Sequence, residues 1–271
     1  MAQHDALEAA HKEAKAEDEG VPEGEIIYRS IRQDGTRALT LTSSELAWSG
    51  LAAGISMGFS LIGEGLLRAH IPDASWAPLV TKFGYALGFL IVILGRQQLF
   101  TEQTLTVILP LLSPENEEGS LRNVARLWTV VLLANLIGTA IVAAATAWTG
   151  AFSSDVMRAF SHIGHAAMTQ EIVVTFIRGL FAGFLIATMV WLLPGAGAAR
   201  LWIVIVIAYF VGLGAFSHII AGSTEALHVV FTGERPFAEY LTRFLVPTFF
   251  GNAIGGVAFV ATLAHAQHGP Q

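Results

Sequence analysis

A small set of ionisable and hydroxyl side chains stands in stretches of this chain that are otherwise built for lipid. His218 lies in "GAFSHIIAGS" (Gly214–Ser223), and Thr101 and Glu102 lie in "LGRQQLFTEQTLTVILPLL" (Leu94–Leu112), together with Arg96 and three side-chain amides. Ionisable groups at membrane depth are costly and mark solute or proton pathways where they occur. An imidazole with an ordinary pKa near 6.5 can pass a proton to a weak acid. A lone intramembrane histidine is often only a hydrogen-bonded core residue; His218 sits at a predicted break near the midplane, and there the functional reading is favoured. Arg178 has two open readings, an interfacial snorkelling cation or an electropositive lure for anions. Glu102 follows Arg96 by six residues, and a buried Arg96–Glu102 pair bracing the break is preferred over a pore-lining carboxylate. Glu64 and Glu225 either pair with arginines or line the path. Glu225 follows His218 by seven residues, which puts both on one helical face about two turns apart.

These residues need elements to hold them, and composition identifies the kind. Of 271 residues, 54% are hydrophobic and only 13% charged, against about 25% charged in soluble domains. The mean hydropathy is +0.59. Such a chain is an all-α integral membrane protein. Cysteine is absent, which excludes disulfides, thiolate nucleophiles and thiolate metal sites. The opening "MAQHDALEAAHKEAKAEDEG" is acidic with no apolar core, so the first span acts as its own insertion signal. Residues 1–44 are expected as a cytoplasmic N-terminal tail, partly disordered or carrying a short helix over Asp5–Glu19. Ser43 or Ser44 is the expected cap of the first span.

A span needs about twenty apolar residues. Six crossings fit within residues 45–264, near 45–68, 79–95 with 102–112, 124–148, 172–193, 200–214 with 219–231, and 241–264. The second and fifth are broken. Residues 265–271 form a short C-terminal tail. "NLIGTAIVA" (Asn135–Ala143) resembles "NAIGGVAFV" (Asn252–Val260) at an offset of 117, and the same offset lays Leu99-Phe100-Thr101 on Phe216-Ser217-His218. Two halves of three crossings each are therefore inverted relative to one another, a 3+3 inverted repeat whose broken helices point to a midplane site. Thr101 and Ser217 are the expected N-caps of the second half-helices, with free N–H groups and positive dipole ends facing the centre.

With the N-terminus inside, Lys12, Lys15, Arg29, Arg32, Arg37, Arg122, Arg126 and Arg200 fall inside. Arg68, Lys82, Arg158, Arg235 and Arg243 fall outside. This bias places both termini in the cytoplasm. His162, His165, His265 and His268 are expected in loops or tails, and no metal or other cofactor is assigned. No phosphate-binding loop, zinc motif or catalytic triad is present, so an enzyme is not expected. The acidic chain lacks a basic patch for nucleic acid.

At this point "LFTEQTLTVILPLL", "FIRGLFAGFLIATMVWL" (Phe176–Leu192), "GAFSHIIAGS" and "FFGNAIGGVAFVA" (Phe249–Ala261) resemble the formate/nitrite transporter family. The resemblance covers about residues 45–264. In "GRQQLFTEQTLT" and the long acidic N-terminus it extends to the YfdC-like branch. It implies an aquaporin-like protomer in a homopentamer of the bacterial inner membrane, with one pore per protomer for a small monovalent anion or its conjugate weak acid. The family's central histidine matches His218 and its loop threonine Thr101, beside Leu99 and Phe100. Its pore-region lysine falls on Arg178. Tyr85, Phe89 and Val211 are the candidates for apolar constrictions. Three positions depart from the family pattern: Gly222 and Gly183 stand for asparagines, and Ser217 for a glutamate. Two other readings keep the scaffold: an aquaporin-like channel for a small neutral solute, and a non-conducting sensor working through its tail.

Overall fold

The computed structural model describes residues 24–112 and 119–267, and among these the regular structure is helical. The elements are α1 (Gly24–Thr40), α2 (Ser43–His70), α3 (Ala77–Leu94), α4 (Phe100–Thr106), α5 (Ile108–Leu111), α6 (Leu121–Trp148), α7 (Ser154–Met168), α8 (Ile172–Leu192), α9 (Arg200–Leu213), α10 (Ile219–Phe231), α11 (Phe237–Glu239), a π-helical stretch (Tyr240–Leu245) and α12 (Val246–Gln267). By length and apolarity α2, α3, α6 and α8 can each cross a bilayer. The other crossings are α9 with α10, and α12. Leu133, Ile137 and Ile141 of α6 and Phe181 and Phe184 of α8 are exposed. Water would disfavour such a surface; hydrocarbon requires it. Trp48, Trp148 and Trp202 are exposed near helix ends, where an aromatic belt meets the headgroups.

Three bundle elements, α2, α3 with α4, and α6, repeat as α8, α9 with α10, and α12. Half-helices α4 and α10 run from the centre toward opposite faces, which is the inverted arrangement expected. Both expected breaks are present, and each long arm closes with the same motif. At the end of α3, Arg96 N–H donates to Ile93 O and Gln97 N–H to Val92 O; at the end of α9, Ala215 N–H donates to Gly212 O and Phe216 N–H to Val211 O. These are paired Schellman closures. Their left-handed residues, usually glycine, are Arg96 and Ala215, each with φ 50°. The closures correct the sequence register. Arg96 and Ala215 are 119 positions apart, so Leu99, not Thr101, is the repeat partner of His218. The offset of 117 holds for Asn135 and Asn252 but not for the breaks.

Those two asparagines satisfy the broken backbone. Asn135 Oδ1 accepts the Phe100 N–H at 2.9 Å, and its Nδ2 donates to Gln98 O at 2.9 Å and Gly50 O at 2.7 Å. Asn252 repeats this: Oδ1 accepts the Ile219 N–H at 2.8 Å, and Nδ2 donates to Ser217 O at 2.8 Å and Gly179 O at 2.9 Å. Each joins a break to the first helix of its half. Gly54 and Gly183 let those helices approach. A Cβ at Gly54 would strike the Asn135 backbone, and one at Gly183 the Asn252 backbone.

Two expectations at the N-terminus are corrected. Thr42, not Ser43 or Ser44, caps α2; its hydroxyl accepts the Glu45 N–H at 3.3 Å and the Glu45 carboxylate accepts the Thr42 N–H at 2.8 Å. Residues 24–40 are not solvated tail. They form α1, which buries Ile31, Gly35, Ala38 and Leu39, spaced as one helical face. Arg126 donates to Leu39 O at 2.8 Å and Leu41 O at 2.9 Å, satisfying carbonyls at and just past its C-terminus. The helix considered over Asp5–Glu19 lies outside the described residues.

Asn135→Ala and Asn252→Ala each leave a buried N–H and C=O bare, at about 1–3 kcal/mol per group. Each is expected to lower the thermal unfolding midpoint of the purified protein in detergent. Gly183→Val overpacks the same joint and is expected to cost about 1–3 kcal/mol; a midpoint equal to wild type would refute this account of the joint.

Candidate functional site

The two half-helices meet N-terminus to N-terminus, and their meeting point is a side-chain contact. Thr101 Oγ1 and His218 Nε2 are 2.8 Å apart, with both residues buried. The second ring nitrogen is also committed. His218 caps α10, its Nδ1 accepting the Ala221 N–H at 3.2 Å. A nitrogen that accepts carries no hydrogen, so the hydrogen of the neutral ring is on Nε2, which donates to Thr101 Oγ1. The Thr101 hydroxyl hydrogen is then not spent on the ring, and the side chain is fully buried.

This geometry corrects the expected caps. Leu99 and His218 occupy the N-cap positions, not Thr101 and Ser217. The expected free N–H groups are largely occupied: Phe100 N–H by Asn135, Ile219 N–H by Asn252, Ala221 N–H by the His218 ring. The centre presents the Thr101 and His218 side chains instead. Asn135 and Asn252 were legible only as part of a repeat, because the carbonyls and amides they bind come together only in three dimensions.

Two cavities open on opposite sides of this contact. The first, about 190 Å³, is lined by Tyr85, Arg178, Val211, Phe216, Ser217, His218 and Glu225, with Glu64, Arg68 and Lys82 farther along its wall. The second, about 320 Å³, is lined by Arg96, Gln97, Gln98, Glu102, Gln103 and Arg200, and by Asp34 and Arg37 of α1. They share no lining residue. Thr101, Phe89 and Leu99 line neither cavity and are fully buried. The Phe89 ring stands edge-on to His218 with centroids 4.9 Å apart. Fully buried residues, Phe89, Leu99 and Thr101 among them, thus stand between the two vestibules.

Of the remaining residues singled out, Tyr85 and Val211 are buried at the wall of the first vestibule. Phe100 turns away from both cavities, its ring 5.6 Å from those of Trp128 and Phe249. Glu64 pairs with Lys82, Oε1 to Nζ 2.5 Å, and not with an arginine. No ion pair joins Arg96 to Glu102; both face the second vestibule, Arg96 exposed and Glu102 half-buried. The brace is therefore absent. The Schellman closure and Asn135 hold the break without it. Gly222 faces the Phe244 ring, and Gly183 abuts Asn252, so neither position has room for the family's asparagine without rearrangement.

On α7, which packs over α10, the two histidines are engaged. His162 Nε2 is 3.3 Å from Arg68. Burial and the Arg68 guanidinium hold its pKa below the usual histidine range. His165 Nε2 is 2.8 Å from Glu234, and Arg235 Nε donates to its Nδ1 at 3.1 Å. Burial alone would raise the Glu234 carboxyl; hydrogen bonds from Thr232, Ser161 and His165 outweigh that and bring it below the usual carboxylate range.

The fold and the order of these residues have counterparts in known proteins. Over residues 25–266 the chain matches the family model described as formate/nitrite transporter. It is 39% identical over 244 residues to the inner membrane protein YfdC of Escherichia coli (strain K12), covering 89% of this chain and 77% of that protein. It is 24% identical over 247 residues to the formate channel BtFdhC of Bacillus thuringiensis, covering 87% and 92%. The fold is that of a pentameric formate channel solved with formate bound, at TM-score 0.72 and 21% identity over 83% of this chain and 97% of that one. It is also that of an FNT family ion channel, at TM-score 0.77 and 20% identity over 91% and 100%. A chain matched from its first described helix to its last, with paired broken helices meeting at a buried Thr–His contact, is a membrane channel or transporter rather than an enzyme, and belongs to the formate/nitrite transporter family.

Proposed function

We propose that the protein conducts a small monovalent anion, or its conjugate acid, through each protomer, and that His218 relays a proton to it at the midplane. The observation that carries this is the 2.8 Å Thr101–His218 contact, buried between two polar vestibules that do not join. An anion alone pays a large desolvation cost to cross such a segment, and its neutral acid pays little. Arg178 draws the anion into the first vestibule. Phe89 and Leu99 exclude water from the segment beyond.

The relay follows from the bonding of His218. In its resting form Nδ1 is occupied by the Ala221 N–H and Nε2–H points at Thr101. The imidazolium forms when Nδ1 takes a proton and gives up that cap. Its Nε2 proton passes to Thr101 Oγ1 as the Thr101 hydroxyl proton passes to the anion. One proton enters the ring at Nδ1 and one leaves it at Nε2 for Thr101, one reaches the solute, and Thr101 ends as it began. The ring is left as the Nδ1–H tautomer, which regains the Ala221 cap once the proton is again on Nε2. Losing the cap makes the charged ring a transient state, as a relay requires. A homopentamer in the inner membrane is part of the same reading, supported by the pentameric channel of like fold and by the inner-membrane relative. Both termini face the cytoplasm, supported by the excess of Lys and Arg on that side.

Uptake of labelled formate, nitrite and short carboxylates into proteoliposomes across pH tests this. Thr101→Ser keeps the hydroxyl and is expected to retain most flux, whereas Thr101→Val and His218→Asn are expected to lose at least about tenfold, a typical lower bound for removing a polar partner worth ~1.4 kcal/mol. Wild-type uptake no greater than that of empty vesicles for every acid would overturn the reading. Stopped-flow swelling with neutral solutes in its place would favour the aquaporin-like alternative.

A further inference from the structure

The first vestibule holds more charge than an anion funnel needs. From α2, Glu64 and Arg68 face it; from α3, Lys82; from α7, His162; from α8, Arg178. Most of these groups already have a partner. Glu64 holds Lys82 at 2.5 Å, and Arg68 lies 3.3 Å from His162. His218 is committed to Thr101 and Ala221. Tyr240, packed against α10, donates to Ser223 at 3.0 Å. Two charged groups of this vestibule are left without an ion pair or hydrogen bond among the described residues, and they are of opposite sign: Arg178 and Glu225. They line the same cavity and do not pair with each other.

Glu225 also stands in line with the midplane histidine. It lies on α10, seven residues beyond His218, roughly 10 Å along the axis and on nearly the same face. Between them on that face is Gly222, which lines the cavity with the Phe244 ring packed against it; His218 and Glu225 both line that same cavity. We propose that Glu225 is the proton-loading group of the first vestibule, taking a proton from bulk and delivering it through the cavity that both groups line to His218, while Arg178 holds the accompanying anion. The Glu225 carboxylic acid becomes a carboxylate, His218 becomes the imidazolium, and the anion then receives that proton through Thr101. Proton and anion enter from one side and leave together as neutral acid. The unpaired Arg178 and Glu225 thus form a receiving site for a dissociated weak acid, one group for each of its ions.

This inference rests on the weak-acid reading above, and the test separates the two. Reconstituted wild type and Glu225→Gln are compared in two modes with formate as probe: accumulation driven by an inward proton gradient, and isotope exchange at equal pH. Glu225→Gln is expected to lose at least tenfold in driven accumulation and to flatten its pH profile, with a clearly smaller loss in exchange, where each outgoing acid can return its proton to His218 for the incoming anion. Glu225→Asp is expected to restore most of the driven mode. A Glu225→Gln protein with the wild-type pH profile and accumulation overturns the inference and leaves the weak-acid reading standing. Equal loss of both modes in a variant that melts like wild type also overturns it, because that is the mark of packing or anion binding. If Glu225→Gln does not fold, Glu225→His is read instead. A shift in the pH midpoint of driven uptake supports the proposal and an unshifted midpoint overturns it. Wild type that carries no acid in either mode removes both readings.

Discussion

A backbone interrupted at membrane depth must have its amides and carbonyls satisfied by protein, because hydrocarbon offers nothing. That constraint shapes this molecule more than any other. Each broken helix exposes polar groups at the centre of the fold, and each is met by one asparagine from the third helix of its half. Asn135 and Asn252 use their carboxamides fully, one N–H accepted and two carbonyls served by each. A serine could not reach three groups, and a charged residue would be costlier to bury. The carbonyls of Gly50 and Gly179 in these brackets tie the first helix to the break. Close contact at Gly54 and Gly183 brings the asparagine helix within reach.

Once the breaks are fixed, the site follows. Inversion brings α4 and α10 tip to tip, so Thr101 and His218 touch although they belong to different halves. The contact is not a symmetric pair, because the true partner of His218 is Leu99. The same N-cap position therefore holds an imidazole in one half and an apolar side chain in the other. In the proposed relay, one side of the midplane supplies the proton-handling group and the other an apolar side chain beside it. The proposed function rests on this departure from the repeat, held in place by the two asparagine brackets that do repeat.

The N-terminal segment shows how a weak sequence signal becomes structure. Over Gly24–Thr40 the chain is polar on average and reads as tail. Only Ile31, Gly35, Ala38 and Leu39 are buried, a narrow stripe, and the helix gains its place from contact with the membrane domain and from Arg126 at its end. Because Asp34, Arg37 and Ala38 line the second vestibule, a segment that sequence sets aside becomes part of a wall of the conduit.

Composition and hydropathy by themselves determined the membrane class, the six crossings and the two breaks, since an apolar run long enough to cross, or too short to do so, is a property of local chain length. The resemblance of four motifs pointed to His218, Thr101 and Arg178, of which the structure brings the first two into contact and sets Arg178 in the cavity wall beside His218. What local sequence could not carry was register and pairing. The short offset of 117 misaligned the breaks by two residues, because closure of a helix end is read from hydrogen bonds rather than letters. Whether Glu64 met an arginine or Lys82, whether Arg96 met Glu102, and which ring nitrogen of His218 was spoken for depended on residues far apart in the chain. Their energies are set by distance and burial, and only the tertiary structure supplies those.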